Sequence, residues 1–112
     1  MVGAPETANE LTNKIIDFLY QQGVYSWRQN SGGVFDSKKG IYRLGSKKGV
    51  SDILGLLLPA GRLLAVEVKI GKDRLSPEQE GFLKNIEHFG GLVFVAKDID
   101  SFKGWWNNKV NG

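Results

Sequence analysis

The chain has 112 residues, of which 41% are hydrophobic and 24% charged, the composition of one soluble globular domain with a single modest core, and this excludes a disordered chain. It has no cysteine and one histidine, which excludes a disulfide framework and zinc sites built from thiolate or imidazole, so any metal must be held by oxygen ligands and Mg2+ or Mn2+ is favoured. Net charge is +3, but the segment from Ser26 to Val50 holds Arg28, Lys38, Lys39, Arg43, Lys47 and Lys48 against Asp36 alone, a local excess that suits a polyanionic partner.

The first element expected is a helix over about Glu6 to Gln22. Leu11, Ile15, Ile16, Phe18 and Leu19 recur at helical spacing, Thr7 or Asn9 can cap its start, and Gly23 follows its end. Val24 to Gln29 reads as a short strand, Asn30 to Gly40 as a polar, glycine-rich loop, and Ile41 to Leu44 as a further short strand. Two runs rich in Leu, Ile and Val then flank Pro59-Ala60-Gly61 within Gly49 to Lys69 and predict a hairpin. Next, Ser76, Pro77 and Gln79 specify a helix start with a capping box. That helix runs to about His88 with Phe82, Leu83 and Ile86 inward, and His88 reads as a helix C-terminal cation or a surface residue. Leu92 to Ala96 predicts a buried strand parallel to the one before the helix. A last helix covers Ile99 to Asn108, where the adjacent Trp105 and Trp106 cannot both face one small core.

The expected architecture is therefore α/β, a mixed four-stranded sheet flanked by helices in the order α-β-β-β-α-β-α, as one domain over residues 1–112. No apolar run approaches the length of roughly 20 residues needed to cross a membrane. The N-terminus lacks the basic-then-apolar order of an export signal, so the expected location is cytoplasmic. No glycine fingerprint for a nucleotide cofactor is present.

The costly feature is the hairpin's charge. Asp52 near the start of its first strand, and Glu67 and Lys69 near the end of its second, sit among apolar residues, where charge must be paired or hold a metal. Glu67 and Lys69, two apart on a strand, share a face. If the register sets Asp52 opposite Glu67 or Lys69, all three converge; opposite Val68, Asp52 points away. Two converging carboxylates can hold a hard divalent cation that acidifies water and polarises a phosphate, and a lysine can stabilise the charge that develops. A salt-bridged cluster of no chemical consequence is the competing reading.

The arrangement GVSD, fourteen residues, then ExK, followed by LSPEQ and GGLVFVAKD, resembles the PD-(D/E)xK nuclease superfamily, in particular its virus-type replication-repair nuclease (VRR-NUC) domains of stand-alone viral or bacterial type. WRQNSGG, Trp27 to Gly33, is similar to that family's segment ahead of the catalytic acid, and the likeness runs from about Glu10 to Ala96. The resemblance implies a restriction-endonuclease-like core and a Mg2+- or Mn2+-dependent endodeoxyribonuclease. It implies that Asp52, Glu67 and the Val68 carbonyl hold the metal, with Glu10 of the first helix reaching it directly or through water. Lys69 is then the catalytic lysine and Gln79 a residue that places water or phosphate, beside its alternative as a capping residue. Ser51 stands where the motif has proline. Arg28, Asn30, Lys38, Lys39, Arg43, Lys47 and Lys48 are the candidate DNA contacts. The implied partner is DNA, branched as for a Holliday-junction resolvase, cut by a homodimer. The alternatives are a general or restriction-type duplex nuclease, a non-catalytic DNA-binding module, and a purely structural interaction domain.

Overall fold

The computed structural model describes residues 4–29, 34–36, 38–39, 41–43 and 49–110. Helix α1 (Ala8–Gln21) is capped by Thr7, whose side chain accepts from the Glu10 N–H while the Glu10 side chain accepts from the Thr7 N–H. Its far end is closed by Gly23 in the left-handed region, φ 78°, where a side chain would be strained. Strand β1 (Tyr25–Arg28) pairs antiparallel with β4 (Ile53–Leu57), and β4 with β5 (Arg62–Val68) through the expected hairpin. Helix α2 (Pro77–His88) then leads to β6 (Leu92–Ala96), parallel to β5, and α3 (Ile99–Lys109) follows. The sheet order is β1-β4-β5-β6. This is the mixed four-stranded α/β core that the chain's patterning and resemblance imply.

The two faces of the sheet divide the molecule. Ile53, Leu57, Leu64, Val66, Val68 and Ala96 form the main core with Leu11, Ile15 and Leu19 of α1 and Phe102 and Trp106 of α3. Each fully buried Leu or Ile there contributes about 1.5–3 kcal/mol relative to exposure. Alternate residues face the other side, where α2 packs on β5 and β6. That helix stops short of the β1–β4 half, so Tyr25 and Leu56, cross-strand partners, stay exposed.

Three expectations are corrected. Val34–Asp36, assigned to a loop, is strand β2, paired with β3 (Ile41–Arg43) in a separate two-stranded ribbon. Strand β6 is half-buried except at Ala96, because it lies at the sheet edge and has a neighbour on one side only. In α2, Leu83 is buried whereas Phe82 and Ile86 are only half-buried. The tryptophans divide as expected: Trp106 is buried at 2% exposure, and Trp105 is half-buried, its ring stacked on Phe94 at 4.8 Å.

Candidate active site

The hairpin register answers the question posed by the charges. Ile53 lies opposite Val66 and Leu54 opposite Ala65; one residue further out, Asp52 falls opposite Glu67. All of Asp52, Glu67 and Lys69 therefore belong to the α2 side of the sheet, at the end where β5 and β6 terminate. Asp52 is locked at this place from both neighbours. Its carbonyl accepts from the Gln29 N–H at 2.7 Å, and its carboxylate Oδ2 accepts from the Val68 N–H at 2.7 Å.

Glu67 is buried to 1% exposure. Its Oε1 accepts from Gln79 Nε2 at 3.0 Å, while Oε2 is buried with no hydrogen-bond partner. Burial pushes the Glu67 carboxyl up to about 8, and the Asp52 carboxylate beside it adds to the rise. Lys69 and the Ser51 hydroxyl act in the opposite direction. Ser51, at the position of the motif's proline, is itself buried, with no partner for its Oγ. An orphaned carboxylate oxygen beside a second carboxylate is the environment a hard cation would satisfy, so these residues fit a divalent metal. The Val68 carbonyl fits too. The Lys69 N–H points to β6, donating to the Ala96 carbonyl at 2.9 Å. The carbonyl of that same planar peptide points the other way, to the side of Asp52.

Gln79 joins two roles that sequence alone presents as alternatives. Its Oε1 accepts from the Ser76 N–H at 2.9 Å, closing the capping box of α2; its Nε2 reaches Glu67. The start of α2 is held close by Gly49, φ 80°, at which a Cβ would stand 2.3 Å from the Glu78 carbonyl oxygen. No side chain can be accommodated at that approach.

Other expected residues are placed differently. The Glu10 carboxylate, expected at the metal, is held at the helix start by the Thr7 N–H and hydroxyl, 3.1 and 3.0 Å away, and these bonds keep its pKa below the usual glutamate range. Among the described residues no three Asp, Glu or His gather as a metal-holding group. Arg28 pairs with Ile53 in the ladder, on the face opposite the acids, and donates from Nη1 to Asn9 Oδ1. Lys38 and Lys39 are exposed in the turn between β2 and β3. Arg43 lies in β3, but its side chain, like Asn30, Lys47 and Lys48, is outside the described residues. One neighbour of the site was missed. Gln29 lies beside Asp52, and its Oε1 accepts from Trp27 Nε1 at 3.0 Å. Only the β1–β4 register reveals that this polar residue of WRQNSGG adjoins the acid.

The family model described as VRR-NUC domain matches residues 36–98, a span that holds Asp52, Glu67, Lys69 and Gln79. No curated protein and no solved structure matches the chain at a significant level.

Proposed function

This chain belongs to the VRR-NUC domain family of nucleases, and we propose that it is a metal-dependent endonuclease hydrolysing DNA phosphodiester bonds, acting on branched DNA as a homodimer. The observation that carries the reading is the in-register pair of Asp52 and Glu67, with the buried, partnerless Oε2 of Glu67 turned into a site that Lys69 shares. Glu67 through Oε2, Asp52 through the oxygen that Val68 leaves unused, and the Val68 carbonyl would hold Mg2+ or Mn2+. When bound, the cation acidifies a water and polarises a phosphate oxygen. Lys69 orients the attacking water and offsets the negative charge that builds on the phosphate oxygens as the bond to water forms. Gln79 fixes the Glu67 carboxylate, so the pair does not reorganise as substrate arrives.

Branched DNA requires two cuts in two strands, and a two-fold pair of sites meets that need. The uncovered strip of Tyr25 and Leu56 offers apolar area to a second copy. The test is cleavage of a four-way junction and of a plain duplex of the same sequence, with Mg2+ or Mn2+ and with EDTA. Metal-dependent junction cutting is expected. Cutting of duplex alone would replace the resolvase reading with a general nuclease, and binding of either DNA without cleavage under any metal would mark a non-catalytic module. A monomer in sedimentation equilibrium, alone and on junction DNA, would remove the homodimer.

A further inference from the structure

Beside the acids opens a cleft of about 820 Å³. Lys69 lines it, so it is continuous with the catalytic face, and so do Lys72, Arg74 and Lys97, with Asp73 and Glu80 as the two acids. The parallel register sets Glu67 beside Val95 and Val68 beside Ala96, which carries Lys69 to a place beside Lys97 on the same face. Like charges on neighbouring strands repel; Lys69 is offset in part by the Glu67 carboxyl it acts on, whereas Lys97 forms no ion pair among the described residues. The ion pair of Lys14 with Glu6 is remote from the cleft, and among the described residues no ion pair involves a cleft lysine or arginine. Of the two acids, Glu80 has a local reason for its place in the first turn of α2, where the helix dipole favours a carboxylate, which leaves four cations against Asp73. Lys72 and Arg74 come from the connection between β5 and α2. It is anchored at one end by Lys69 on Ala96 and at the other by the Ser76 cap, so their backbone is positioned before any ligand arrives.

Four cations lining one cleft, none of them in an ion pair among the described residues, suit an anion with repeated charge. We propose that the cleft is a phosphate track in which Lys72, Arg74 and Lys97 hold the backbone phosphates of the cut strand next to the scissile group that Lys69 faces. This rests on the nuclease reading above. Contacts of this kind bind ground state and transition state alike, so their loss raises KM and leaves kcat in place. They also release counterions, so each contributes about 0.9 to the slope of log affinity against log salt on duplex DNA.

The experiment compares the wild type with Lys72→Gln/Arg74→Gln/Lys97→Gln and with a control, Lys84→Gln/Lys103→Gln/Lys109→Gln, whose lysines do not line the cleft. Binding to fluorescent duplex and four-way junction is read by anisotropy in EDTA across KCl from about 50 to about 200 mM, and cleavage is read with Mg2+. The cleft triple should lose about two to three units of salt slope and gain about tenfold or more in KM at unchanged kcat, while the control keeps the wild-type values. A cleft triple with wild-type slope and KM, an equal change in both triples, or a fall in kcat alone would overturn the track while leaving the nuclease reading in place. A wild type without salt-dependent DNA binding would remove both.

Discussion

Glu67 carries an electrostatic load that its neighbours shape: burial and Asp52 raise its pKa, and Lys69 lowers it. Its pKa of about 8 in the folded protein lies above the ordinary value of 4.5, so the metal-free folded state binds the extra proton over that interval. By linkage, the contribution of Glu67 to metal-free stability is fully present below pH 4.5 and is lost as pH rises toward about 8, by an amount on the order of a few kcal/mol. Glu67→Gln should remove this slope and raise the melting temperature of the metal-free protein above pH 8, while abolishing cleavage; melts in EDTA at several pH values check it. The same proton competes with a cation. Apparent affinity for Mn2+, read as stabilisation against melting, should therefore climb about tenfold per pH unit up to about pH 8 and then level off. Lys69→Ala should lower cleavage by at least about a hundredfold and leave junction binding within a few-fold. At Gln79 the two ends of one amide can be separated. Gln79→Glu keeps the acceptor that caps α2 but withdraws the donor from Glu67, so cleavage should fall with the cap preserved; Gln79→Ala should lose cleavage and in addition about 1 kcal/mol of stability.

At the scale of elements, the hairpin and α2 form one device. β4 and β5 supply the acids in register, and the start of α2 supplies the amide that fixes Glu67, which requires the helix to approach the chain just before Asp52. Gly49 permits that approach. Gly49→Ala meets both the Glu78 carbonyl and a left-handed backbone, so it should destabilise the protein by about 1–3 kcal/mol in denaturant titration and reduce cleavage by shifting Gln79. The periodicities of α1, the Ser76-Pro77-Gln79 start and the β5-α2-β6 crossover were legible because local chemistry specifies them. Strand β2 was not, since Val34–Asp36 lies among glycines and lysines and gains its strand form from pairing with β3. The half-burial of β6 was not legible either. A run such as LVFVA reads the same at a sheet edge as at its centre, and the missing neighbour is a property of strand order.

Across the whole molecule, the sheet separates two tasks. One face, with α1 and α3, is the main apolar core; the other carries the acids, Lys69 and α2. Arg28, named for its charge, belongs to the first face, whereas Lys97, far along the chain, is brought beside Lys69 by the parallel pairing. Residue types alone determined that any metal must be held by oxygen, that Asp52, Glu67 and Lys69 are the charges needing a reason, and that helices and strands alternate into an α/β sheet. These follow from composition, capping and periodicity, which act over a few neighbouring residues. Tertiary structure alone decided that Asp52 faces Glu67, that Gln79 reaches it, and that Lys97 joins Lys69, Lys72 and Arg74 at one cleft. Each depends on how segments distant in the chain pair, and a shift of one residue in register would reverse every face while leaving the local preferences unchanged.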